Sequence, residues 1–297
     1  MKKKWVSWSG KTVLALIFIV SCNIPSAWAA APWHWAFAMK QDLLQDSMNM
    51  PTALFIDKGK EHYYVVDSGK NRLLSFNRQG ELLNILNAGK SLDVPYDMVR
   101  TGDGMIWVVE KGRNSLTSID LQSRKVTRAT LHYDGRLIYP DRLEYVGGLF
   151  YVLDKVTGDI ISYTKALKPR QRYSCDKCSR GFVDFRIYGQ TLWALDRQQK
   201  TVYRFDLGGA LDGTISLGNF VSFPVSLAVG PSGYLYILDR HKRDIAVYDK
   251  SGIFKYHFLR HGFSRGELDY PIEIRFDPWG GLCVVDEGNS RVEVFRR

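Results

Sequence analysis

One line of this chain is written six times, and that repetition constrains the fold more than any other feature. The tetrads YVVD, WVVE, YVLD, WALD, YILD and CVVD end at Asp67, Glu110, Asp154, Asp196, Asp239 and Asp286, at steps of 43, 44, 42, 43 and 47 residues. Six positions beyond the acid stand Leu73, Leu116, Ile160, Val202, Ile245 and Val292; nine beyond it stand Phe76, Ile119, Tyr163, Phe205, Tyr248 and Phe295. About fifteen positions before the acid, a proline opens five copies, at Pro51, Pro95, Pro140, Pro224 and Pro271, while the fourth has Gly181 near that place. Agreement over several columns at a fixed period marks a repeat architecture.

The tetrads are nearly all apolar, as in a strand covered on both faces, and turns such as SGKN, EGNS and KVTG follow them. A period in the forties with four strands per unit is that of a propeller blade. A lone blade leaves two apolar faces wet, whereas a ring of blades covers both. The expected fold class is therefore all-β: a six-bladed β-propeller of four-stranded blades over residues 51–297.

The lines YVVDSGKNRLLSF (64–76) and CVVDEGNSRVEVF (283–295) resemble the NHL repeat, with its proline, apolar strand and aspartate-led turn. The middle copies depart from it: Arg72 and Arg291 have as counterparts Ser115, Asp159, Thr201 and Asp244. The resemblance covers 51–297 and implies a six-bladed propeller of the NHL kind. YWTD and WD signatures are absent. The chain stops at Arg297, where the third strand of blade six should end. WHWAFAM (33–39), within the segment 30–50, is the spare β-type stretch that would supply the outer strand and close the ring.

The first 29 residues read as a secretory signal: lysines at 2, 3, 4 and 11, an apolar run VLALIFIV, and AWA before the cleavage point. The alternative is a lipoprotein signal in which IVSC leaves Cys22 lipidated, the one route by which this chain would meet a membrane. Either implies export to the periplasm or the cell exterior. Losing four lysines and no acids lowers the formal charge from +10 to +6, a mild excess that, with export, argues against nucleic acid as partner. The expected partner is a protein or a small polar ligand of the cell envelope.

The repeated acids read as structural, each capping the turn that follows it through backbone N–H groups. A more variable column lies early in the first strand of each copy: Ala53, Asp97, Arg142, Asp184, Ser226 and Glu273. Variation in charge beside an apolar neighbour suggests a face turned toward the central channel. Asp97, Arg142, Asp184 and Glu273 are accordingly the ligand-binding candidates, at the mouth shared with the turns between second and third strands. Their oxygens would suit calcium, if they converge. The competing reading is self-pairing, Arg142 with Asp97, Glu144 with Arg186, and Glu273 with Arg275. No catalytic residue is assigned; the competing function is an enzyme of the lactonase or lyase type with a metal at the channel mouth.

Cys175 and Cys178 (SCDKCS) lack the following histidine of a haem-attachment site and the second pair of a zinc knuckle, so a small loop disulfide is expected. Cys283 stands in an aromatic column and reads as core. The basic clusters KPRQR (168–172) and RHKR (240–243) read as solvated loops.

Overall fold

The computed structural model describes residues 33–40, 47–176, 178 and 180–297; the first 29 residues, read from sequence as a signal, and Cys22 lie outside them. Six four-stranded antiparallel sheets follow one another along the chain. Blades one to five span 51–86, 95–129, 140–173, 184–216 and 224–258, each with strands a to d in sequence order. Blade six takes strands a, b and c from Pro271–Phe276, Leu282–Asp286 and Arg291–Arg296, and strand d from His34–Met39. That last strand runs antiparallel to Arg291–Arg296, with Met39 opposite Val292 and His34 opposite Arg296. The ring is thus closed by an N-terminal strand. A short hairpin, Leu131–Tyr133 with Arg136–Ile138, links blades two and three and has no counterpart among the described residues of the other linkers; the period gave no hint of it.

The apolar residues gather between blades. One cluster joins Leu54, Tyr63 and Val65 of blade one to Cys283, Val285 and Val292 of blade six, with Met39 of the closing strand fully buried among them. Another joins blades five and six and takes in Trp33, and equivalent clusters fill the remaining blade interfaces. The outer strands are the wettest; Leu83 and Ile85 of blade one, for example, are exposed. This gradient follows from the wedge shape of a ring, in which inner strands are covered on both faces and outer ones are not.

Candidate functional site

The inner wall is set by a local device. In blades one, two, three, five and six the proline pairs with the blade acid, and the register slips immediately after it. Proline has no N–H to give the ladder, so it is tolerated at the first residue of the strand, and the bulge that follows re-aims the next side chains.

Those side chains form the variable column, and most clamp one blade to the next. The Leu143 N–H donates to Asp97 at 3.0 Å, the Leu227 N–H to Asp184 at 3.0 Å, and the Leu54 N–H to Glu273 at 2.7 Å. Ser226 plays the same part, accepting from the Ile274 N–H at 3.2 Å. Ala53 has no acceptor, and the Met98 N–H it would have served is taken by Asp97 itself at 2.7 Å. The acids of this column therefore satisfy backbone donors that burial would otherwise leave unpaired.

Guanidinium groups complete the wall. Arg186 donates to Asp184 at 3.0 Å and to Glu273 at 2.8 Å. Arg275 donates to Glu273 at 2.7 Å and to Glu144 at 2.9 Å. The pairs Glu144–Arg186 (3.6 Å) and Glu273–Arg275 (2.7 Å) are those that charge alternation suggests. Arg142 departs from that pattern. Its ion-pair partner is Asp184, at 3.9 Å, not Asp97, because its outer nitrogens reach across the channel to the carbonyls of Thr52 (3.1 Å) and Ile272 (3.4 Å).

Asp97 is left with backbone donors alone. Burial, then repulsion from Glu273, push its carboxyl up to about 7 despite Arg142. Burial acts on Glu273 too, but Arg275, Arg186 and Arg142 outweigh it and hold that carboxyl below its ordinary value. Asp97, Asp184 and Glu273 do not converge as a cation cage: each is engaged by backbone N–H groups, and guanidinium groups sit against the latter two. Among the described residues no three His, Cys, Asp or Glu side chains stand as a metal set.

Cavities open at both ends of this wall, and the three acids line neither. At the end where strand a finishes lies a cavity of about 460 Å³, with Phe55, Tyr145, Tyr188 and Phe276 around a floor of Glu144, Arg186 and Arg275. At the other end, where strand a begins, lies one of about 510 Å³. Its floor carries Tyr96, Arg142, Val225 and Ile272. Its rim is made by the turns between strands b and c, which bring Lys111, Lys155, Arg197 and Arg240, and by the loop bearing Arg180 and Phe182.

Each rim base of the b–c turns is the residue directly after a blade acid. The acids themselves hold these turns against the loops that enter strand a. Asp154 accepts from the Tyr139 and Val156 N–H groups, and Asp239 from those of Phe223, His241 and Lys242. The capping of the following turn expected of this column is made by Asp154, Asp196 and Asp239; Asp67, Glu110 and Asp286 instead accept from the Asn49, Asp93 and Asp269 N–H groups of the loop before strand a. In the fourth blade Gly181 stands in place of the proline. Its φ is +65° and it packs directly on the Gly158 backbone, where any Cβ would run into the Thr157 carbonyl. The Cys175–Cys178 disulfide, with Cα atoms 5.3 Å apart, ties the same loop. Cys283 is fully buried in the core between blades six and one.

Reading the column of acids without the column beside it misses the rim. Ser68, Lys111, Lys155, Arg197, Arg240 and Glu287 follow the six acids in turn, and four consecutive blades write a base there. Arg240, assigned by its neighbours 240–243 to a solvated loop, instead lines the cavity.

No protein-family model and no curated protein matches the sequence. Solved structures do share the fold. Virginiamycin B lyase of Staphylococcus aureus is 14% identical at a TM-score of 0.62, over 83% of this chain and 80% of that one. A streptogramin B lyase is 13% identical at 0.63, over 89% and 97%. A gluconolactonase of Xanthomonas campestris is 15% identical at 0.62, over 84% and 86%. At these identities the likeness is one of architecture.

Proposed function

We propose that this chain is an exported propeller of the NHL type that binds a small polar ligand in the cavity rimmed by the b–c turns, as a recognition module of the cell envelope. One observation carries the reading. That cavity gathers unspent polar groups from several blades, whereas the buried acids and arginines of the channel wall are committed to one another and to the backbone. A volume of about 510 Å³ lies within the ordinary range for small-molecule sites. Export rests on the first 29 residues.

The test is a thermal-shift screen of small polar compounds, followed by hydrogen-exchange mapping of any that stabilise the protein. Protection is expected in the turns at 111–114, 197–200 and 240–243. Protection confined to the opposite end, around Tyr145, Tyr188 and Phe276, would sink the proposal.

An enzyme of the lactonase or lyase type is the second reading, favoured by the fold shared with enzymes of both kinds. It requires a reactive group at a channel mouth, and elemental analysis separates it from simple binding. A stoichiometric metal in the purified protein would support it, and would have to be held otherwise than by Asp97, Asp184 and Glu273 as they now stand.

A further inference from the structure

We infer that the cavity rimmed by the b–c turns takes a small anion bearing at least two negative groups. This rests on that cavity being the ligand site, and four features of the cavity carry it.

The first is an imbalance of charge. Six cationic side chains line the cavity (Lys111, Arg142, Lys155, Arg180, Arg197 and Arg240), against Asp141 alone among acids. Lys111 pairs with Asp141 at 2.5 Å, and Arg240 with Glu287 at 2.6 Å. Arg142 answers to the buried acids below it. Lys155, Arg180 and Arg197 have no carboxylate within 4.0 Å among the described residues, so the rim keeps an uncompensated positive field.

The second is preorganisation. The Arg197 guanidinium lies over the Phe223 ring, 4.2 Å from its centroid, and its Nε donates to the Pro224 carbonyl at 3.0 Å. That fixes the plane of the fork and leaves its outer nitrogens uncommitted, the geometry in which arginine meets carboxylate or phosphate with two parallel bonds. For Arg197, little ordering remains to be lost when an anion binds.

The third is a fixed cation at the bottom. Arg142 is 3% exposed; two of its nitrogens are engaged by carbonyls and its buried Nε faces Asp184 at 3.9 Å, so it gives the floor positive charge and no free donor. Lys155 and Arg197, on turns of different blades, thus offer separate points of attachment above it, which is why a ligand with two or more negative groups fits better than one with a single group.

The fourth is the wall between them. Leu153, Phe182, Val183, Phe223, Val225 and Ile272 line the cavity, and low-dielectric walls concentrate the field of the cations. The repulsion is already felt inside. Burial, with Arg142 and Lys155 adding to it, pulls Lys111 down to about 8 even though Asp141 opposes. Because the cations ring a concavity, an extended polyanion would reach the rim and not the floor.

Calorimetric titration in metal-free buffer tests this, with citrate as the multivalent probe, acetate as the monovalent one, and trehalose as a neutral polar control. Citrate is expected to bind at least tenfold more tightly than acetate and to weaken as salt rises. Lys155→Gln and Arg197→Gln should each weaken citrate roughly tenfold or more, with both variants still folded at the temperature of the titration. Lys58→Gln, at the opposite cavity, should have no effect. Citrate binding that neither rim variant alters overturns the inference, as does binding of heparin without binding of citrate. Trehalose protecting the b–c turns while citrate does not also overturns it, but leaves the cavity standing as the ligand site. If no compound, charged or neutral, protects those turns, both readings fall together.

Discussion

The two ends of the channel are built from the same six strands, yet they treat charge in opposite ways. Where strand a finishes, Glu144 lies between Arg186 and Arg275, Glu273 between the same two arginines, and the network closes on itself. Where strand a begins, Lys155, Arg180 and Arg197 face a cavity with no carboxylate set against them. The difference lies in which partners the repeat brings to each level. The first end draws acids and bases together from strand a, Glu273 from the variable column and Glu144, Arg186 and Arg275 from two residues further along. The other draws bases from turns whose own acids point inward to hold backbone N–H groups. A closed network rigidifies; an open one is available to a ligand. Buried charges with partners are structural by default, because removing either member strands the other in a low dielectric.

Ring closure supports both ends, so the largest effect comes from breaking it. Deleting residues 33–40 strips the outer strand from Arg291–Arg296 and takes Met39 and Trp33 out of two blade interfaces. Large-to-small truncation of one such side chain costs about 2–5 kcal/mol, so losing both with an entire ladder should consume most of a domain's stability. A truncated protein that melts with the intact one would mean that the strand is dispensable and both cavities are framed without it.

Within the intact ring, the closed end should be the fragile one. Arg186→Met leaves Glu273 and Asp184 short of a buried cation and should cost about 3–5 kcal/mol. Arg197→Met at the open end leaves no acid stranded and should cost about 1–2 kcal/mol, the loss of its stacking on Phe223 and of its hydrogen bond to the Pro224 carbonyl. Asp184→Asn belongs with the first of these and should melt lower in chelator and in excess calcium alike, while wild type melts identically in both. Calcium-dependent stabilisation of wild type, abolished in Asp184→Asn, would reinstate a cation site in the wall. Equal costs for Arg186→Met and Arg197→Met, read from denaturant melts, would erase the contrast between the ends.

Fold and site were legible in the sequence to different degrees, for a physical reason. Blade count, strand order and closing strand all follow from periodicity and from WHWAFAM, because each blade's pairing is local and repeats. The wall column is visible too, as charges varying beside the apolar Leu54, Met98, Leu143 and Leu227. What those charges touch is not. The acceptor for the Leu143 N–H sits 46 residues earlier, and that for Leu54 lies 219 residues away across the closure. Carboxylates that look like a cation set are therefore blade clamps. Arg142 misleads similarly: its length lets it cross the channel to Thr52 and Ile272, so the neighbouring blade's Asp97 goes without it. The rim bases could have been found by reading one column further, past acids whose own role was already clear.

Asp97 gives the comparison a pH dependence. Its folded carboxyl titrates near 7, raised by burial and by Glu273, against an ordinary value of 3.8. Between those values the native state keeps a proton that the unfolded chain has released, so stability is greatest near the lower value and falls as pH rises through the window. Glu293, also raised to about 7 chiefly by burial, acts in the same direction. Glu273, held below its ordinary value of 4.5, works the opposite way but in a lower window. The expected result is a loss between about pH 4.5 and 7 of about 3 kcal/mol from Asp97. Urea melts across that range should show the slope, and Asp97→Asn should flatten it. A wild type whose stability rises from pH 5 to 7 would mean that Asp97 is ionised and paired after all.

The smallest effect tests the open end most directly. Lys155 is exposed and has no carboxylate set against it, and its charge adds to the forces pulling Lys111 down. Replacing it with glutamine strands nothing and relieves repulsion, so stability should change by no more than about 0.5 kcal/mol. The sign should be favourable at low ionic strength. Screening over about 8 Å at physiological salt and about 3 Å at 1 M should then extinguish the gain. Differential scanning calorimetry of wild type and Lys155→Gln at low and at 1 M salt would read this as a small upward shift in Tm that vanishes with salt. A loss of more than about 1 kcal/mol, insensitive to salt, would show Lys155 to be committed to the fold. The rim would then be as closed as the opposite end, and its positive charge would no longer distinguish it.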